Sequence, residues 1–119
     1  MKQIVLAAAL AAVGALPALA QDAGKGKTVF ESRCVGCHSL ATNRIGPALG
    51  TVVGRKAGTH PGFGYSAALK AAGHTWDAGK LEKWLANPQA FVPGAAMPFR
   101  LGDEQERKDV AAYFESLKR

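Results

Sequence analysis

Beyond its first twenty residues this 119-residue chain is short of large apolar side chains. Apolar residues make up 48% of the whole, yet 16 of them lie in residues 1–20 and 15 of the 41 that remain are alanine. Two more are cysteine, so about two dozen large apolar side chains are left for a core, in a stretch of 99 residues that also holds 13 glycines. A chain of this size already buries a smaller share of its surface than a large one. A self-sufficient core is therefore not expected, and something other than side chains should fill the middle. No segment shows the alternation of a half-buried strand, which argues against a sheet. After residue 20 no apolar run approaches the ~20 residues needed to cross a bilayer. Internal repeats, low-complexity tails and a second domain are also missing, leaving one domain at most.

The apolar excess of residues 1–20 has its own pattern. Lys2 precedes an apolar run from Ile4 to Leu16, followed by Pro17 and the small-x-small triplet Ala18-Leu19-Ala20. This is the layout of a cleavable secretory signal peptide. A membrane anchor is the alternative, but Gly14 and Pro17 break the run and leave it short for a span. The expected domains are thus a leader, 1–20, and a working domain, 21–119, with cleavage after Ala20. The mature chain would begin at Gln21 and carry 14 basic and 9 acidic side chains, a net charge of +5. Export also permits a disulfide between Cys34 and Cys37, although their context points elsewhere.

Four segments read as helices. The first, from about Ala23 to Val35, puts Phe30, Cys34 and Cys37 on one face at i, i+4 and i+7. The second, Tyr65 to Ala72, is bounded by Gly64 and Gly73. In the third, Asp77 is a plausible N-cap, Leu81, Trp84 and Leu85 form the apolar face, and Pro88 hinders continuation. The fourth opens with Asp103 and Glu106, spaced as in a capping box, and buries Val110, Tyr113, Phe114 and Leu117. Two stretches rich in glycine and proline, 46–64 and 91–102, lie between them; such long loops in a small domain are usually functional.

Residues 34–38 read Cys-Val-Gly-Cys-His, the C-x-x-C-H pattern of covalent haem attachment. Two thiols on one turn of chain can reach the two vinyl groups of a haem edge, and the next residue, His38, then sits under the iron. A thioredoxin-like redox pair also uses C-x-x-C, but within a βαβ framework this chain lacks. A zinc site would need a fourth ligand, from His60 or His74, beside Cys34, Cys37 and His38. The second axial position points to Met97, which is the only methionine once Met1 leaves with the leader. A lone methionine is more often core filler, but Pro93, Gly94 and Pro98 make its surroundings a shaped loop rather than a packed helix. A Met/His pair gives a relatively high potential and a closed iron suited to electron transfer. His60 and His74 are rival ligands, each in a glycine-bearing stretch with a surface-like composition.

Taken in order, these pieces resemble the class I c-type cytochromes across nearly all of residues 21–119. The resemblance is carried by Gly26 and Phe30, Cys34 to His38, Gly46-Pro47, Gly54-Arg55-Lys56, Pro61 to Ser66, Thr75-Trp76, Leu85 to Pro88, Pro93-Gly94, Met97 with Phe99, and Tyr113-Phe114. It implies an all-α fold, about four helices and long loops wrapped round one haem c bound through Cys34 and Cys37. His38 and Met97 would be the axial ligands. Pro47 is implied to accept the proton on the other ring nitrogen of His38. Arg55, Tyr65 and Trp76 are implied partners of a buried propionate, whose desolvation would otherwise be costly. Trp84 and Phe99 complete the implied cofactor-binding set.

The resemblance implies a carrier rather than an enzyme. It would be a soluble periplasmic protein moving single electrons from a quinol:cytochrome c reductase to a terminal oxidase or a photosynthetic reaction centre. Docking would be transient, the chain a monomer, and nucleic acid no partner. The alternative is a haem-bearing subunit of a periplasmic dehydrogenase or peroxidase system. Near the implied methionine side, Leu69 stands where the common pattern has asparagine, Ala95 where it has threonine, and Trp84 where it has tyrosine. Gln89, Ala90 and Ala96 replace lysines of the basic docking ring, while Arg33 and Arg44 remain near that edge. A leucine and an alanine offer an internal water no side-chain hydrogen bond, so a drier pocket with a raised potential is expected. Restoring Leu69→Asn with Ala95→Thr should lower the midpoint in a redox titration; an unchanged or higher midpoint would refute the drier pocket.

Overall fold

A computed structural model describes residues 3–9, 11, 14 and 20–118. Half of the expected leader lies outside the described residues; of its described part, Ile4, Val5 and Leu6 are all more than four-fifths exposed, at 84%, 86% and 88%. The described elements are α1 (Ala23–Arg33), α2 (Ala67–Ala71), α3 (Ala78–Ala86), α4 (Pro88–Phe91) and α5 (Glu104–Ser116). Among the described residues there is no strand, only one isolated antiparallel bridge between Lys56 and Thr75. Among the described residues no helix is long and apolar enough to cross a membrane.

Each helix starts where a short polar side chain can accept from a backbone N–H. Asp22 caps α1 through Lys25, Ser66 caps α2 through Leu69, Asp77 caps α3 through Lys80, and Asp103 caps α5 through Glu106. Two expected boundaries shift. The second helix begins at Ala67 rather than Tyr65, because Ser66 is its cap. The first ends at Arg33 rather than Val35, with Cys34 at the C-cap. The expected four helices are joined by a fifth, the single turn α4. Asn87 ends α3 and its side chain accepts from Ala90 to start α4, with Pro88 at the first helical position, where its missing N–H costs nothing.

The frame is the crossing of α1 and α5. Phe30 lies 5.9 Å from Tyr113 and 5.8 Å edge-on to Phe114, measured between ring centroids. Val110 and Ala111 are fully buried between the helices. At the crossing the chain needs Gly26, since a Cβ there would fall 1.9 Å from the Asp109 carbonyl oxygen. The buried carboxylate of Asp109 is satisfied by the Asp22 N–H at 3.0 Å and Gln105 Nε2 at 2.9 Å, so it also ties the start of α1 to α5. A half-buried ion pair, Lys108 to Glu82 at 3.3 Å, joins α5 to α3.

Because a backbone atom opposes Gly26, the helices must separate to admit a methyl group. Gly26→Ala should destabilise the protein by about 2 kcal/mol and lower its melting temperature by roughly 10 °C. Gly79→Ala in α3, where the nearest atom to a new Cβ is an aspartate side-chain oxygen at 3.5 Å, should be neutral or stabilising by under about 1 kcal/mol. Thermal unfolding by circular dichroism checks both; equal effects would deny the tight crossing.

Candidate functional site

The first helix does not simply stop at Arg33. The Cys34 carbonyl accepts from the Cys37 N–H at 3.2 Å and the His38 N–H at 2.9 Å, so residues 34–38 make one more turn. This turn places Cys34, Cys37 and His38 on the wall of a single cavity of about 450 Å³, within the range of small-molecule and cofactor sites. The same cavity is lined by Pro47, Arg55, Tyr65, Trp76, Trp84, Met97 and Phe99. Every candidate site residue of the sequence analysis is therefore brought to one place, from segments spread over 66 positions of chain.

His38 is held in one orientation. Its Nδ1 lies 2.8 Å from the Pro47 carbonyl oxygen. A carbonyl can only accept, so Nδ1 carries the proton and Nε2 keeps its lone pair. Burial lowers the His38 pKa, while the Pro47 hydrogen bond acts in the opposite sense. Gly46 makes the arrangement possible, because a Cβ there would stand 2.2 Å from His38 Cε1. The Gly-Pro pair thus has two jobs in one place: a missing side chain that admits the ring and a carbonyl that orients it. The Cys34 thiol is buried and its pKa is pushed up to about 11 by that burial, so it stays protonated at neutral pH, unlike a low-pKa catalytic thiol.

Met97 lies half-buried on the cavity wall. The loop before it is fixed by a turn in which the Ala95 N–H donates to the Val92 carbonyl at 3.0 Å, with Pro93 and Gly94 between and Gly94 at a φ of +90°. Trp84 is buried and packs edge to face on Trp76, centroids 5.4 Å apart. Leu69 lines the cavity, whereas Ala95 is buried beside the lining rather than in it. Phe99, 38% exposed, stands at the mouth with Ile45, 77% exposed.

One wall carries hydrogen-bond donors with nothing yet to bind. Arg55 Nε is buried without a partner, although its Nη2 donates to Thr51 Oγ1 at 3.1 Å. The Tyr65 hydroxyl accepts from the His60 N–H at 3.2 Å, which leaves its own hydrogen free to donate. An orphaned guanidinium nitrogen in a protein interior costs about 1–3 kcal/mol unless an acceptor meets it. A carboxylate entering the cavity would supply that acceptor. No acidic side chain lines the cavity, so the group expected there must bring its own. These features fit a haem: an apolar volume, a lone-pair nitrogen, a thioether sulfur, two cysteines, and donors for a propionate.

The rival readings of the motif find no comparable support. Among the described residues, no group of three or more His, Cys, Asp and Glu is arranged to hold a metal, and no sheet is present to carry a thioredoxin-like pair. Sequence reading missed several contacts that depend on distant segments meeting: Arg44 Nη1 donating to the Val35 carbonyl, Gln89 Nε2 donating to the Ala95 carbonyl, and the burial of His74 against Trp76. His74 was expected in a surface-like stretch; it is half-buried, because α4 and the 54–57 segment close over it.

Comparison with known proteins agrees with this geometry. The family model described as cytochrome c matches residues 23–118. A cytochrome c2 of Rhodopseudomonas palustris is 44% identical over 115 residues, covering 82% of this chain and all of that protein. A cytochrome c2 of Blastochloris viridis is 39% identical over 121 residues, covering 98% of this chain and 94% of its own. Two solved structures have the same fold. Cytochrome cH from Methylobacterium extorquens has a TM-score of 0.75 at 41% identity, over 80% of this chain and 98% of its own. Cytochrome c2 from Rhodospirillum centenum has a TM-score of 0.76 at 38% identity, over 82% and 99%. With its motif, its cavity and these matches in agreement, the chain belongs to the cytochrome c family, in class I, with one haem c as its cofactor.

Proposed function

We propose that this protein is a soluble one-electron carrier that shuttles between respiratory or photosynthetic redox complexes. The observation that carries the reading is the convergence of His38, locked as a lone-pair donor by Pro47, with Met97 and both cysteines on one apolar cavity. In this reading Cys34 and Cys37 would hold the haem covalently, and His38 and Met97 would supply the nitrogen and sulfur that ligate its iron. The haem supplies reversible one-electron transfer; the protein sets its potential, its solvation and its docking.

Each wall residue has a definite task. Pro47 fixes the tautomer of His38 and raises its basicity. Arg55, Tyr65 and Trp76 present donors to a carboxylate that would otherwise be buried unpaired. Trp84, Leu81, Leu85 and Phe114 exclude water from the interior. Phe99, Ile45 and Arg33 stand exposed at the mouth, where a partner must approach for electron exchange. Arg33 and a basic mature surface steer acidic partners at long range, and encounters of this kind bury little surface and release quickly.

The donor is read as a quinol:cytochrome c reductase and the acceptor as a terminal oxidase or a photosynthetic reaction centre. Residues 1–20 are read as a signal peptide cleaved after Ala20, with the working protein a periplasmic monomer. The match to the Blastochloris viridis protein over 98% of this chain extends into those residues, which supports a shared leader. No substrate is needed, so the reading is a carrier and not an enzyme. A stable larger complex on purification would instead favour the alternative, a haem subunit of a dehydrogenase or peroxidase system.

The intact mass of the exported protein should equal residues 21–119 plus one haem. Its reduced form should refuse carbon monoxide at pH 7, while Met97→Ala should bind it. Carbon monoxide uptake by the unaltered protein would remove Met97 from the iron and, with it, the simple carrier.

A further inference from the structure

His74 is absent from the cavity lining but packs on a residue that belongs to it. Its ring meets Trp76 edge to face, with centroids 4.3 Å apart and planes at 89°, and meets Phe91 at 5.3 Å and 73°. Trp76 in turn lines the cavity. Nε2 of His74 is closed off from solvent and has no hydrogen-bond partner, a condition shared among the described residues only by Arg55 Nε. A carboxylate in the cavity accounts for the arginine. It does not account for the histidine, which lies behind Trp76.

The backbone ties the segment that carries this ring to residues of the cavity wall. The His74 carbonyl accepts from the Ala57 N–H at 2.8 Å, the Trp76 N–H donates to the Arg55 carbonyl at 2.9 Å, and the Trp76 carbonyl accepts from the Gly54 N–H at 2.8 Å. His74, Trp76 and Arg55 are thus carried on two segments tied antiparallel about the isolated bridge between Lys56 and Thr75. Asp77 and Lys80 at the start of α3 act on the ring by charge; Arg55 and Lys56 are the ionisable groups of the paired segment, and α4, which contributes Phe91, has none. In the imidazolium both ring nitrogens carry hydrogen, and the one on Nε2 would be buried with no oxygen to receive it. Burial, and then the charge of Lys80, push the His74 pKa below the ordinary imidazole value, with Asp77 opposing. At neutral pH the ring is therefore uncharged and holds Trp76 by aromatic packing.

We propose that His74 is a positioning residue for Trp76 whose protonation is linked to the electron the protein carries. The inference rests on the carrier reading given above. Each electron taken up adds one negative charge on the cavity side of Trp76, which strengthens the attraction for a proton on the ring behind it. A fraction of a proton then passes from water to His74, forming one N–H bond, and returns to water when the electron leaves. More protons are bound in the reduced state, so the midpoint potential falls as pH rises through the His74 titration. Nothing but the electron and the solvent proton is exchanged.

The test uses the purified holoprotein. The His74 imidazole is followed by NMR from pH 4 to 8 in the oxidised and reduced forms, and the midpoint potential is recorded over the same range for the unaltered protein and His74→Phe. The expected result is a His74 titration midpoint that lies higher in the reduced form than in the oxidised form. The matching slope in potential should be lost in His74→Phe, which keeps an aromatic ring against Trp76. Identical midpoints in the two redox states would overturn the proposal on the unaltered protein alone, as would a slope that survives in His74→Phe. A purely structural role would alter stability without removing that slope. Failure of the underlying reading shows separately, as a protein without a c-type reduced spectrum.

Discussion

The side chains of this domain do not meet at its centre; they line an apolar cavity of about 450 Å³, and the remainder of the structure is arranged to hold that shape. At the cavity cost measured in large-to-small core substitutions, maintaining such a volume with protein alone would cost on the order of 10 kcal/mol. That is comparable with the entire net stability of a typical domain. The shortage of large apolar residues in the sequence is the same fact seen from the other side. A porphyrin anchored at Cys34 and Cys37 supplies the missing apolar mass. Gly26 and Gly46, where any side chain would collide with Asp109 or His38, allow the frame to close tightly round it.

Polar groups in the wall follow from this constraint. A cavity built for a largely apolar guest still has to receive carboxylates, so donors are held in place before the guest is considered. Arg55 is tethered through Thr51, Tyr65 through the His60 N–H, and Trp76 through its backbone to Arg55. Each is oriented by a hydrogen bond within the protein, as preorganised donors must be if binding is not to cost their freedom. His38 and Pro47 obey the same logic on the other side of the chemistry.

Much of this could be read from the sequence where the information is local. The caps at Asp77 and Asp103, the apolar faces of the third and last helices, and the haem motif all depend on residues a few positions apart, and the structure has them where expected. Pro88 reads as hindering continuation of the third helix; the structure adds that Asn87 ends that helix and its side chain starts the next turn. The burial of His74 could not be read at all. Its neighbours come from 54–57 and from α4, and a histidine between Gly73 and Thr75 has no pattern of its own to reveal that they close over it. Gly46 stands between these cases, visible as half of a Gly-Pro pair but explained only once His38 is placed against it.

The central claim is that the haem completes the core. Residues 21–119 made with Cys34→Ala and Cys37→Ala, and without haem, should show little helical signal by circular dichroism and no cooperative thermal transition. A haem-free chain with the helical content of the holoprotein and a sharp melt would contradict the account, because the side chains alone would then be sufficient to build the domain.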